Sequence, residues 1–182
     1  MAKFYPELDD KLIQFINQQK IFFVATAPNE GRINLSPKGM DTFSVINKNS
    51  VAYLDLTGSG NETAAHLQQN PRMTIMFCSF DKNPMILRLY GDAEIIHHKD
   101  ECWNDWQAQF KPYPGVRQIY ILNVSSVQTS CGYAVPLSES MTERETLKNW
   151  AEKKGDQAIQ EYWQEKNQLS IDGLPTNILR DD

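Results

Sequence analysis

Along the first 130 residues, apolar positions come in short runs, each closed by a polar turn. Leu8, Leu12, Ile13 and Ile16 recur at helical spacing and predict a short amphipathic helix over Leu8–Gln19. The pattern then changes to strand-type runs: Ile21–Ala27, Arg32–Ser36, Thr42–Ile46, Val51–Asp55, Met73–Phe80, Met85–Ile96 and Gln118–Val127. Turn signals separate them, at Pro28-Asn29-Glu30-Gly31, Pro37-Lys38-Gly39, Asn47-Lys48-Asn49 and Asp81-Lys82-Asn83-Pro84. Many short strands joined by tight turns predict an antiparallel barrel or sandwich, not alternating βαβ units. Helices are expected at about Asn61–Gln69, stopped by Asn70-Pro71, and at about Asp100–Phe110. A longer one is expected over Thr142–Glu165, where Leu147, Trp150, Ala151, Ala158, Ile159, Tyr162 and Trp163 trace one face. Ser140 with Glu143, and Thr142 with Glu145, both have the form of a capping box, and Gly155 is a point of weakness.

Composition narrows the function classes. The chain has 182 residues, 41% hydrophobic and 23% charged, enough apolar content for one packed domain with an appendage. The net charge of −5 gives no basic footprint, so nucleic acid is not the expected partner. The acidic excess sits late: residues 1–130 hold 12 Lys+Arg against 13 Asp+Glu, and residues 131–182 hold 6 against 10. The first part need not repel an anion. The run Ile21–Ala27 is far short of the about 20 residues a membrane span needs. The start, Met1-Ala2-Lys3-Phe4-Tyr5-Pro6, lacks the apolar stretch of a secretory signal, and Cys78, Cys102 and Cys131 suggest no disulfide framework. A cytoplasmic protein is expected.

The most informative stretch is the strand Val51–Asp55 running into Thr57-Gly58-Ser59-Gly60-Asn61-Glu62-Thr63 and then a helix. Two readings fit this turn. The helix start, the glycines and the side chains of Ser59, Asn61 and Thr63 can hold a phosphate. Equally, Ser59 or Asn61 can simply cap the helix. Gly58-Ser-Gly60-Asn-Glu-Thr63 mimics a dinucleotide fingerprint, but the third position is Thr63 and no parallel strand follows, so a Rossmann unit is not expected. A second cluster, Arg32-Ile-Asn34-Leu-Ser36-Pro37-Lys38-Gly39, offers a cation and donors if its strand lies beside Val51–Asp55. Otherwise Lys38 belongs to an ordinary solvated turn.

The ordered set Ile33-Asn-Leu-Ser-Pro-Lys-Gly39, Val51-Ala-Tyr-Leu-Asp55, the Gly-Ser-Gly-Asn turn, His66-Leu-Gln-Gln-Asn-Pro-Arg72, Met73–Phe80 and Ile86-Leu-Arg-Leu-Tyr-Gly91 resembles the pyridoxamine 5′-phosphate oxidase-like flavoproteins, the FMN-binding split-barrel superfamily, over about residues 8–130. The resemblance implies a six-stranded antiparallel split β-barrel in residues 1–130; the helical pattern of residues 131–182 predicts an extension packed on it. It also implies a homodimer with FMN at the interface. Carried over by residue, Asn34, Ser36, Lys38 and Gly39 match the first strand and turn, and Tyr53, Leu54 and Asp55 match the strand beside the flavin ring. Ser59, Gly60, Asn61 and Thr63 match the phosphate turn, and Arg88 is a further cofactor candidate.

Two departures stand out. Many relatives place an Arg-Lys pair in the phosphate turn, where this chain has Gly60-Asn61-Glu62. Glu62 should therefore face solvent, leaving Lys38, helped by Arg32 or Arg88, to supply positive charge. The tail Asn167–Pro175 also lacks the Arg/Trp-containing ending of vitamin B6 oxidases. The expectation is thus a related FMN-dependent oxidoreductase acting on an unidentified small molecule. The alternative is a non-catalytic flavin or haem carrier on the same barrel. No catalytic acid or base is singled out. His66, His97 and His98 have no metal-ligand spacing, and a metal site is not expected. Cys131 is either an inert thiol or one that reaches the pocket. The helical tryptophans Trp103, Trp106, Trp150 and Trp163 are expected in a core or an interface.

Overall fold

A computed structural model describes residues 2–179, which form one curled antiparallel sheet with helices on its surfaces. The strands are β1 (Lys3–Tyr5), β2 (Phe22–Thr26), β3 (Asn34–Lys38), β4 (Phe43–Asn47), β5 (Ser50–Leu56), β6 (Arg72–Cys78), β7 (Ile86–Ile96) and β8 (Val116–Ser130). They run in the order β3-β2-β6-β7-β8-β5-β4, with β1 paired to β8. The split-barrel architecture is that expected from the sequence, with eight strands where six were implied. The three-residue β1 is too short to announce itself by periodicity. No parallel pair occurs among the described strands, which removes the Rossmann reading of the glycine turn.

The two ends of the sheet approach each other through the short turn from β3 to β4. Aromatic contacts, not a ladder, close the gap: Phe43 of β4 packs edge-on against Phe22 of β2 and Phe77 of β6, with ring centroids 5.0 Å apart in each pair. Such pairs contribute about 0.5–1.5 kcal/mol beyond their burial. Val24, Ile75, Leu87, Leu89 and Leu122 complete the interior, and helix α1 (Asp10–Gln18) plugs it with Leu12, Phe15 and Ile16. Asp9 caps α1 by accepting the Leu12 N–H at 2.8 Å.

Strand β5 is buried on both faces, which is why Val51–Leu56 reads as a nearly unbroken apolar run. Val51 and Tyr53 face the interior, while Ala52 and Leu54 pack outward with Ile119 and Ile121 beneath Trp103 of the short helix α3 (Trp103–Gln107). Strand β8 carries two irregularities. At one, Gly91 of β7 sits so near the Asn123 carbonyl that a Cβ would lie 1.9 Å from its oxygen, so only glycine fits. At the other, Asp55 pairs with Gln118 but Leu56 pairs with Val116, leaving Arg117 as the extra residue of a bulge.

After β8 the chain runs to helix α4 (Thr146–Lys166), which starts four residues later than expected. The capping boxes go unused. Glu143 instead accepts the Met40 N–H at 3.1 Å, and Glu145 at the N-cap makes no side-chain cap bond. Gly155 adopts φ 73° and breaks α4 there. Beyond the break, Trp163 lies buried and donates its indole N–H to Thr57 Oγ1 at 2.8 Å, beside the glycine turn.

Candidate functional site

Strand alternation places Asn34, Ser36 and Lys38 of β3 on one face, with Leu35 and Pro37 exposed on the other. That polar face meets the C-terminal end of β5 and the loop that enters helix α2 (Glu62–Leu67). A cavity of about 370 Å³ lies between them, within the range of small-molecule sites. Asn34, Ser36, Lys38, Asp55, Ser59, Gly60, Asn61 and Thr63 line it, together with Arg117 and Tyr120 of β8.

Asp55 is the hub. Its Oδ1 accepts from the Lys38 ammonium at 2.9 Å. Its Oδ2 accepts from Arg117 Nε at 2.9 Å and Nη2 at 2.8 Å, and from Gln118 Nε2 at 3.0 Å. Arg117 is 3% exposed and Asp55 2%. Burial alone would push the Asp55 carboxyl up, but the Arg117 guanidinium and the Lys38 ammonium outweigh it and bring the pKa to about 2. Arg117 also donates through Nη1 to the Gly60 carbonyl at 2.9 Å, fixing the turn. Gln118 Nε2 lies 2.6 Å from both Asn61 Oδ1 and Tyr120 Oη, so three acceptors compete for two amide hydrogens. Burial, reinforced by the Asp55 charge, raises the Tyr53 and Tyr120 hydroxyls well above their ordinary pKa, keeping both protonated. The Tyr53 hydroxyl and Gln118 Oε1 are buried without a hydrogen-bond partner among the described residues.

The turn is held from outside as well. Asn61 makes no cap bond; its amide donates toward the Asn167 carbonyl at 3.4 Å. Asn167 in turn donates to the Gly58 carbonyl at 3.1 Å. Glu62 also lines the cavity, and both its carboxylate oxygens accept the Ile171 N–H at 3.1 Å. Helix α2 spans only six residues, so its end adds little field, and charge in the cavity comes from side chains.

Among the other candidates, Gly39 lines a neighbouring groove and Tyr53 belongs to the barrel interior. Leu54 lies on the face of β5 opposite Tyr53 and Asp55, as alternation requires, and packs beneath Trp103. Arg88 of β7 donates to Ser130 at 3.3 Å and is not in the cavity wall. Arg32 pairs with Asp172, so it is engaged elsewhere. Cys131 is exposed. His66 is buried against Thr26 Oγ1 at 3.0 Å, and His98 stacks on Trp103 at 3.9 Å; no histidine lines the cavity. No group of three metal-ligating side chains occurs among the described residues. Sequence reasoning passed over Arg117, since strict alternation puts it on the Ile119 face; the bulge re-aims it. A lone arginine opening an apolar strand was the available signal.

The donor set suits a phosphate ester. Lys38 has two ammonium hydrogens left after pairing with Asp55, Ser59 sits at the rim, and the Glu62 carboxylate in the same wall is engaged by the Ile171 N–H. Asp55 is locked in ion pairs as the carboxylate, and Tyr120 is held protonated. The side chains supply binding and charge, and redox chemistry would have to come from a bound group.

The chain matches the pyridoxamine 5′-phosphate oxidase family over residues 8–131. It is 39% identical over 195 aligned positions to the pyridoxamine 5′-phosphate oxidase family protein ustO of Aspergillus flavus, covering 96% of this chain and 78% of that one. Its fold is shared with the crystal structure of HupZ from Group A Streptococcus, which is 21% identical with a TM-score of 0.52 and covers 66% of this chain and 91% of that one. A described candidate pyridoxamine 5′-phosphate oxidase from Lactobacillus delbrueckii, 17% identical with a TM-score of 0.55, covers 68% of this chain and 94% of that one. The family match and the level of identity to the fungal relative, on a barrel built as the sequence led one to expect, make this chain a member of the pyridoxamine 5′-phosphate oxidase family.

Proposed function

We propose that the protein binds FMN in the cavity between β3, β5 and the Gly58–Asn61 turn and acts as an FMN-dependent oxidoreductase. The observation that carries this reading is the pairing of Lys38 and Arg117 around one carboxylate in a hydroxyl-lined cavity, on a chain of this family. Bound flavin supplies hydride and electron transfer. Lys38, Ser59 and Thr63 are assigned to the phosphate, with Asn34 and Ser36 ordering the approach: Asn34 donates to Thr63 Oγ1 at 3.2 Å and accepts from Ser36 at 2.9 Å. Asp55 holds Lys38 at the cavity wall, and Arg117 holds the turn through Gly60. Tyr120, protonated and in the wall, presents a hydroxyl to the bound molecule.

The substrate is assigned outside vitamin B6 oxidation, because the stretch Asn167–Pro175 lacks the Arg/Trp-containing pattern and instead bonds to Gly58 and Glu62. A homodimer with the cofactor at its interface is part of the reading, supported by Ile33 and Leu35, 75% and 63% exposed on and beside edge strand β3. A cytoplasmic location is supported by the three free cysteines. The test is the visible spectrum of the purified protein, followed by mass analysis of what heat denaturation releases. A two-banded flavin spectrum with released FMN supports the reading. A colourless protein that fails to bind added FMN overturns it, and an intense haem band would select the carrier alternative.

A further inference from the structure

We infer that the groove between the β3–β4 turn and the start of α4 binds a flat apolar molecule carrying one negative charge, and that this is the substrate class of the neighbouring flavin cavity. The second clause rests on the proposed flavin reading; the first stands alone.

The groove has a volume of about 500 Å³ and is walled by Ile21, Pro37, Met40, Met141, Leu147 and Trp150. Pro37 and Lys38 line both this groove and the FMN cavity, so the two sites are neighbours at the end of β3. An indole face and two methionines suit a planar guest: the ring offers area, and the thioethers adapt to its outline.

The wall is built, not incidental. Met40 and Asp41 both hold left-handed backbone, at φ 63° and 56°, a conformation side-chain-bearing residues avoid. Three distant contacts keep them there. Glu143 accepts the Met40 N–H, the Tyr113 hydroxyl donates to the Met40 carbonyl, and Lys111 pairs with Asp41. The opposite wall is anchored by the Lys20 ammonium, 2.7 Å from the Met141 carbonyl. Strain held in place by several tethers is typical of ligand clamps.

The charge of the lining selects an anion. Lys20 and Arg144 stand against Glu143, whose carboxylate accepts the Met40 N–H, while Lys38 is paired with Asp55 on the cavity side. Arg144 is exposed and makes no ion pair among the described residues, so it is the cation available to a guest at the groove mouth.

The experiment is isothermal titration of the purified protein, with and without added FMN, using 2-naphthoate, the neutral 2-naphthalenemethanol and the cationic 2-naphthylmethylamine. The expected result is saturable 1:1 binding of naphthoate, at least tenfold tighter than the alcohol, with the amine weakest. Trp150→Ala should weaken naphthoate about tenfold. Arg144→Ala, a surface change that leaves folding intact, should remove the preference for naphthoate over the alcohol. In flavin-loaded protein, naphthoate should shift the visible flavin bands. Absent naphthoate binding, equal affinity for charged and neutral probes, or indifference to both substitutions overturns the groove assignment. FMN retention, read from the spectrum of the same samples, separates the two readings. FMN bound without naphthoate sinks only the groove. Naphthoate bound without FMN retains the anion site and sinks its role as the substrate site.

Discussion

The two ends of strand β5 carry opposite kinds of interior on the same face. At one end, Val51 and Tyr53 enter the aromatic packing around Phe22 and Phe77, with the Tyr53 and Tyr120 rings 4.9 Å apart. At the other, two residues further along, Asp55 gathers Lys38, Arg117 and Gln118. The apolar end gains free energy simply by leaving water, about 25 cal/mol per Å² of apolar surface, and tolerates changes of shape. The charged end must recover the desolvation of buried ions through every hydrogen bond it makes, and such clusters are often no better for stability than apolar substitutes. A fold that needed only stability would continue the aromatic packing to the end of the strand. On the proposed reading, the charged end is the part kept for a ligand.

The strongest way to break this contrast is Asp55→Asn. It leaves a buried guanidinium without its counter-charge and should cost about 3–5 kcal/mol in urea denaturation, with loss of FMN retention. Asp55→Leu combined with Arg117→Met should recover much of the stability and none of the FMN binding; recovery of both would refute the division of labour. The pH dependence follows from the same group. Because the folded-state pKa of Asp55 is depressed from 3.8 to about 2, its contribution is complete above about pH 4 and is lost as pH falls through 2. That contribution is roughly 2 kcal/mol, so denaturation midpoints should drop more steeply between pH 5 and pH 2 (about that window) in the parent than in Asp55→Asn. Lys38→Ala should weaken FMN at least about tenfold, or 1.4 kcal/mol, in equilibrium dialysis. Lys48→Ala, far from the cavity in the β4–β5 turn, should leave retention unchanged, and equal retention in both variants would remove the phosphate assignment. The smallest effect sharpens the contrast from the apolar side: Ile75→Val should cost about 1 kcal/mol of stability and leave FMN affinity at its parental value.

Much of the barrel was legible in the sequence because short apolar runs with turn residues between them obey local rules. Val51–Asp55 became Ser50–Leu56, and Met85–Ile96 became Ile86–Ile96. The cluster of Lys38, Asp55 and the glycine turn was legible through the family resemblance, and alternation along β3 puts Asn34, Ser36 and Lys38 on one face. What the sequence hid depended on distant partners. Arg117 is aimed by a bulge defined only through its pairing with β5. The start of α4 is displaced because Glu143 serves the Met40 amide across the molecule instead of its own helix. Leu54 entered the candidate set through the resemblance with its neighbours Tyr53 and Asp55, but alternation turns it to the other face of β5, beneath Trp103.

The ties between the glycine turn and the tail also set an order of assembly. Thr57, Gly58, Ser59 and Asn61 are secured by Trp163 and Asn167 across sequence separations of 106 to 109. On a ribosome adding about 5–20 residues per second, every strand of the sheet is synthesised before those partners exist. The barrel can close on its aromatics while the cavity is still open on one side, and contacts between such distant residues form slowly. The pocket is therefore the last part of the molecule to be finished. A nascent chain stalled after β8 would have its sheet and every side chain of the cavity wall, but not the Trp163 and Asn167 contacts that fix the glycine turn.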